Sequence, residues 1–157
     1  MLGVDIICVG KLKEKFYAAA CDEYKKRLGA YCKLNIYEVA ETPATGASEV
    51  ARALEAESER IAAKIQKDAY VICMCIEAGE FSSEALSEKL TSLKCSGKSR
   101  LCFIIGGSNG ISDKIKARAD FKLSMSKMTF PHHLARVMVL EQIYRAFKIE
   151  EGSGYHK

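Results

Sequence analysis

Leu101-Cys102-Phe103-Ile104-Ile105-Gly106-Gly107-Ser108-Asn109-Gly110 is the stretch from which the fold can be read. Residues 101 to 105 are apolar without a break, and the chain then enters a cluster of glycines. A strand with one face in water alternates apolar and polar side chains. A strand with no polar member is covered on both faces, as in a parallel sheet between layers of helices. Tyr70 to Ile76 repeats the pattern. The glycines after Ile105 mark a tight turn at the carboxyl end of a strand, where open sheets of this kind bind ligands.

The same alternation of strand and helix continues on either side. Val4 to Val9 is a short apolar run ending at Gly10, and Leu34 to Val39 and Phe121 to Ser124 are further strand candidates. Tyr17, Cys21, Tyr24 and Leu28 recur at helical spacing, with Gly29 near the end of that helix. A second helix carries Val50, Leu54, Ile61 and Ile65 on one side, with Ser48 as a cap. Ser82 and Ser83 cap a third helix running to about Leu93, and Ser112 caps a short fourth one. Pro131 sits in the first turn of a last helix that reaches about Phe147. The expectation is one α/β domain over residues 1–157, a mostly parallel sheet with helices on both faces. Its ligands should lie beyond Ile76, Ile105 and Ser124. The last helix is apolar nearly all round, more than one sheet face can bury, which predicts a second copy of the chain against it.

Composition narrows the class. The chain has 157 residues, 48% of them hydrophobic and 28% charged, enough to bury a core without disulfides or metal. Seven cysteines occur with no Cys-x-x-Cys pair. Cys8, Cys73, Cys75 and Cys102 fall in apolar runs and read as small core residues, which points to the cytosol. No run is long enough for a membrane helix, and the start has no secretory pattern. The net charge of +4 suits an RNA partner without specifying one.

Four constellations carry chemistry. The glycine cluster lacks the Lys-Ser/Thr of a Walker A loop and the spacing of a dinucleotide fingerprint, leaving a tight turn or a ligand cradle. Met125-Ser126-Lys127-Met128-Thr129-Phe130-Pro131 has hydroxyls, a lysine and apolar side chains fit to wrap an adenine or a thioether, or serves only as a helix cap. His132-His133 diverge at a helix start with no further ligand nearby, so no metal is expected. Glu141 and Arg145 are four apart and pair on the last helix. Tyr155-His156-Lys157 alone would pass for a frayed end.

Taken in order, Phe103 to Gly110, Leu123 to His132, Arg136, Glu141-Gln142-Ile143-Tyr144-Arg145-Ala146 and the terminal Tyr155-His156-Lys157 closely resemble the RlmH family of SPOUT-class RNA methyltransferases. The opening Val9-Gly10-Lys11-Leu12-Lys13 is also similar to that family's start. The resemblance spans essentially the whole chain. It implies a C-terminal trefoil knot, a homodimer, and methylation of N3 of a pseudouridine in 23S ribosomal RNA of assembled ribosomes. It further implies S-adenosylmethionine as donor, held without a metal by Cys75, Gly106, Met125, Ser126, Lys127, Met128, Thr129 and Phe130. Glu141, Arg145, Tyr155 and His156 are then the catalytic candidates, with Glu141 and His156 both open as the base. Arg136 and Lys157 become RNA-orienting groups. Cys75-Ile76 stand where the family usually has Leu-Asp, and Gly154 where proline often precedes the tail. The glycines of the tail predict that it orders only on binding RNA or donor and then reaches an active site, its own or a partner subunit's. The rival readings are a SPOUT enzyme for another RNA, a non-catalytic ribosome-associated module, and a small-molecule binder.

Overall fold

The apolar runs become the strands of a single sheet in a computed structural model that describes residues 1–157. In chain order the elements are β1 (Leu2–Val9), α1 (Lys15–Leu28), β2 (Cys32–Val39), α2 (Ala47–Ala62), β3 (Tyr70–Met74), α3 (Ser83–Cys95), β4 (Arg100–Ile105), α4 (Asp113–Arg118), β5 (Phe121–Leu123) and α5 (His132–Glu150). All strand pairs are parallel, in the order β2-β1-β4-β3-β5.

The two-residue period of a strand explains why the central strands carry almost no polar side chains. Val4, Ile6 and Cys8 of β1, with Leu101, Phe103 and Ile105 of β4, face the layer built by α1, α3 and α5. Ile7 and Val9, with Cys102 and Ile104, face the opposite layer, where Ile61 of α2 and Ile115 of α4 cover them. Asp5 is the exception: wholly buried, it takes hydrogen bonds from Arg100 at 2.9 and 3.0 Å and from Asn35 at 2.8 Å. The cysteines are free thiols, and burial pushes those of Cys8, Cys73 and Cys102 up to about 12, as suits packing residues. No helix is long and apolar enough to cross a membrane.

Local signals hold at some ends and fail at others. Ser82 and Ser112 cap α3 and α4 by accepting from Ala85 N and Ile115 N. Ser48 does not cap α2. That helix starts at Ala47, where Thr45 gives both its N–H and its hydroxyl to Glu49 at 2.9 Å, satisfying the turn one step earlier. Ile65 lies beyond the end of α2 at Ala62. Pro131 precedes α5 as its N-cap, and α5 runs on to Glu150. β3 stops at Met74, so Cys75 and Ile76 leave the strand as a loop.

α5 lies between α1 and α3 and buries Val139, Leu140, Ile143, Ala146 and Phe147. Leu134 and Met138 are only half-buried and stand outside the core. With Glu141 and Arg145 they form one stripe at helical spacing along the outward side of α5.

Candidate functional site

Three loops meet at the carboxyl edge of the sheet. They follow β3, β4 and β5, and hydrogen bonds tie the first to the third: Cys75 N donates to Leu123 O at 2.9 Å and Ser124 N to Gly79 O at 3.0 Å. Between the loops lies a cleft of about 220 Å³. Met74, Ile105, Ile111, Leu123, Met125 and Phe130 give it apolar walls, and His132 and Ala135 of α5 close one side.

The glycine loop is shaped by close backbone contact. A side chain at Gly106 would place its first carbon 2.5 Å from Gly110 O and 2.6 Å from the Gly110 carbonyl carbon. The loop folds back tightly there, with Gly110 N donating to Gly107 O at 3.0 Å and Gly110 at φ +80°. Gly107 faces away from the cleft, toward Val9 and Glu41. The 125–130 loop is held by hydroxyls: Ser124 Oγ donates to Ser126 O at 2.9 Å, and Ser126 Oγ accepts from Met128 N at 3.0 Å.

Of the residues expected around the donor, Cys75, Gly106, Met125, Ser126, Met128, Thr129 and Phe130 line this cleft, whereas Lys127 does not. Cys75 is buried, and burial raises its thiol. Sequence reasoning missed further titratable members of the lining, Glu77, Lys116 and His132. Glu77 and Lys116 form an ion pair of 2.6 Å at the rim, across 39 positions of sequence, and no local pattern announces it. The hydrogen bond from Lys116 holds the Glu77 carboxyl below its ordinary range. Burial, reinforced by His133, lowers the proton affinity of His132.

The catalytic candidates form a second cluster, on α5 and the tail. Glu141 Oε1 accepts from Arg145 Nε at 2.8 Å, and Glu141 Oε2 from the Tyr155 hydroxyl at 2.9 Å. Burial, then that hydrogen bond, raises the Tyr155 phenol. The Arg145 guanidinium carbon stands 4.7 Å from the centre of the Tyr155 ring. His156 Nδ1 lies 3.1 Å from Arg145 Nη1, and His156 Nε2 lies 2.8 Å from Glu84 Oε1. A guanidinium only donates, so Nδ1 accepts and the proton of the neutral ring sits on Nε2, facing Glu84. The tail, read from its glycines as loose, is thus tied to α5 and α3 by polar contacts that offset the cost of ordering it. Lys157 is exposed at the end.

Arg136, read as an RNA-orienting group, is 2% exposed. Its Nη1 donates to Glu38 Oε2 at 2.7 Å and its Nη2 to Gly10 O at 3.1 Å. None of Glu141, Arg145, Tyr155, His156 or Arg136 lines the cleft. From Ala135, the last residue of α5 that does, to Glu141 is six residues of helix, or about 9 Å of rise.

A family model described as "Predicted SPOUT methyltransferase" matches residues 2–156. The chain is 45% identical over 159 residues to a Clostridioides difficile (strain 630) protein named "Ribosomal RNA large subunit methyltransferase H", covering 99% of this chain and 100% of that one. It is 51% identical over 157 residues to the protein of the same name from Bifidobacterium adolescentis, covering 98% of this chain and 99% of that one. Among solved structures, "a probable methylase family protein from Haemophilus influenzae Rd KW20" shares the fold with a TM-score of 0.55 at 14% identity, covering 100% of this chain and 72% of that one.

Proposed function

The chain belongs to the SPOUT methyltransferase family, and we propose that it methylates N3 of a pseudouridine in 23S ribosomal RNA of assembled ribosomes, in the cytoplasm, with S-adenosylmethionine as donor. One observation carries this reading. Cys75, Gly106, Met125, Ser126 and Met128 to Phe130, far apart in sequence, line a single cleft at three adjacent strand ends. The residues there fit the donor: apolar walls for an adenine, a glycine loop at the strand end, and, Cys75 aside, titratable side chains confined to Glu77, Lys116 and His132. The relatives' name supports ribosomal RNA as substrate. We also read the segment from β4 to α5 as the family's trefoil knot. In support, the chain passes from α4 on one layer, over the strand ends, to α5 on the other.

The bound donor supplies an activated methyl group, so the protein's work is positioning and removal of one proton. The cleft presents the donor, and the Glu141–Tyr155–Arg145–His156 cluster handles the base. Glu141 is reached through the Tyr155 hydroxyl, which already donates to it. A proton leaving N3 therefore passes by way of that hydroxyl, while Arg145 and His156 hold the geometry. Cleft and cluster lie about 9 Å apart along one α5. Two chains related by a twofold axis, with their α5 helices antiparallel, would bring the cluster of each to the cleft of the other, and we read the protein as that homodimer.

Radiolabelled methyl transfer to purified ribosomes tests the reading, with label expected on a pseudouridine of 23S RNA. Donor binding without transfer would instead mark a non-catalytic module. Equal rates on naked and assembled RNA would remove the ribosome from the proposal.

A further inference from the structure

The loop after β1 and the start of α1 carry Lys11, Lys13 and Lys15, all exposed, and then Phe16, 67% exposed. The chemistry above uses none of them. No ion pair of the fold includes any of the three lysines. The acid among them, Glu14, is turned toward His133 at 3.5 Å. The Phe16 ring lies 4.4 Å from that of Tyr17 and leaves most of its surface open.

This strip is not a loose loop. Leu12 N donates to Glu38 Oε2 at 3.1 Å, and Arg136 holds the same oxygen at 2.7 Å. The second Arg136 nitrogen takes Gly10 O at 3.1 Å. One buried arginine thus fixes the backbone on both sides of Lys11. The strip also borders the donor cleft: a side-chain carbon at Gly10 would stand 3.4 Å from His132, which lines that cleft.

The geometry points to Lys11–Phe16 as a docking surface for single-stranded RNA, with the lysines on phosphates flanking the target nucleotide and Phe16 stacked on a neighbouring base. Unpaired cations beside an open aromatic ring are what such a strand requires, since phosphates bind by charge and any base offers a face for stacking. A second copy of the chain is the poorer occupant, because it would meet like charges and because lysine is depleted from protein interface cores. The inference rests on the reading of this chain as an RNA methyltransferase and adds the surface by which it holds its substrate. It also gives Arg136 a part in RNA binding without contact, as a positioning residue for the strip.

The test is a variant with Lys11→Ala, Lys13→Ala and Lys15→Ala together, and a second with Phe16→Ala. Methyl transfer to purified bacterial ribosomes is measured across a range of salt concentrations. The lysine variant should raise KM about tenfold or more, leave kcat near its original value, and make the salt dependence shallower by about 2 in log–log slope. Phe16→Ala should raise KM about tenfold, and Phe16→Tyr should restore it. Donor affinity and sedimentation should stay as in the original protein. Unchanged KM and salt slope would overturn the proposal. A switch to monomer would overturn it in favour of a subunit contact. If the original protein transfers no methyl group at all, retention of ribosomes on filters still decides: weaker retention by the lysine variant upholds the surface, and equal retention removes it.

Discussion

Arg136 shows how much one side chain can hold. Its guanidinium bridges the end of β1, the end of β2 and α5 from a position 2% exposed. Arg136 is buried but its partner Glu38 keeps 34% of its side chain in water, so Arg136→Met should cost about 1 to 2 kcal/mol in urea unfolding at neutral pH, through the lost hydrogen bonds to Glu38 and Gly10. The pH dependence has a definite sign. Burial pushes the Glu38 carboxyl up, but hydrogen bonds from Arg136 and Leu12 pull it further down, to below its ordinary 4.5. A lowered carboxyl contributes stability that is complete above the unfolded value and lost as pH falls through the folded one. The variant's stability should therefore fall less steeply than the original's below pH 4.5; a parallel acid limb would show that Glu38 does not depend on Arg136. Gly106 is a second case. A methyl group there meets Gly110 O at 2.5 Å, backbone that cannot swing aside. Gly106→Ala should destabilise by about 1 to 3 kcal/mol and open the loop, weakening donor binding at least about tenfold by calorimetry. Gly107→Ala meets Val9 and Glu41 side chains on the far side and should disturb the donor much less.

At the scale of elements, α5 has two sides with different duties. Its inner side closes the core through Leu140 and Ile143, while Leu134 and Met138 stay half-buried outside it. An apolar pair at this spacing, continuous with Glu141 and Arg145, suits a facing copy of the same helix. Met138→Glu should keep the fold, since Met138 lies outside the core, yet sediment as a monomer at micromolar concentration and lose methyl transfer; a persistent dimer would place the interface elsewhere. The sequence showed the excess of apolar positions on α5 but not which of them face outward, because that depends on α1 and α3 flanking it. The strands were legible because Leu101 to Ile105 and Tyr70 to Met74 are buried on both faces and have no alternation to misread. The end of β3 was not legible, since Cys75 turns its N–H to Leu123, 48 positions later. The same distinction separates the parts of the site. Cys75, Gly106 and the 125–130 loop could be carried over from family motifs. Glu77, Lys116 and the burial of Arg136 depend on partners 39 and 98 positions away, and nothing in their own surroundings signals it.

At the scale of the whole molecule, the cleft and the polar cluster lie apart on one chain, with about 9 Å of α5 between Ala135 and Glu141. The tail is where this can be tested. Tyr155 and His156 are fixed to Glu141, Arg145 and Glu84, so these two residues complete a cluster rather than trail from it. The Glu141–Arg145 pair is intrinsic to α5, at 2.7 Å, and should survive without them. A chain ending at Gly154 should therefore keep its core, its donor cleft and the outward stripe of α5. Calorimetry should find donor affinity within about twofold of the original, and sedimentation should find the oligomeric state unchanged, since residues 155–157 neither line the cleft of their own chain nor belong to the Leu134 and Met138 stripe. What it loses is the hydroxyl that donates to Glu141, the route proposed above for the proton, and the His156 ring beside Arg145. Proton transfer by a placed side chain contributes about a hundredfold or more to rate, so methyl transfer to ribosomes should fall by that factor in kcat. Tyr155→Phe, which removes only the hydroxyl, should account for most of the loss. Original turnover in both variants would place the proton's path on α5 alone and leave the tail as a brace for Arg145.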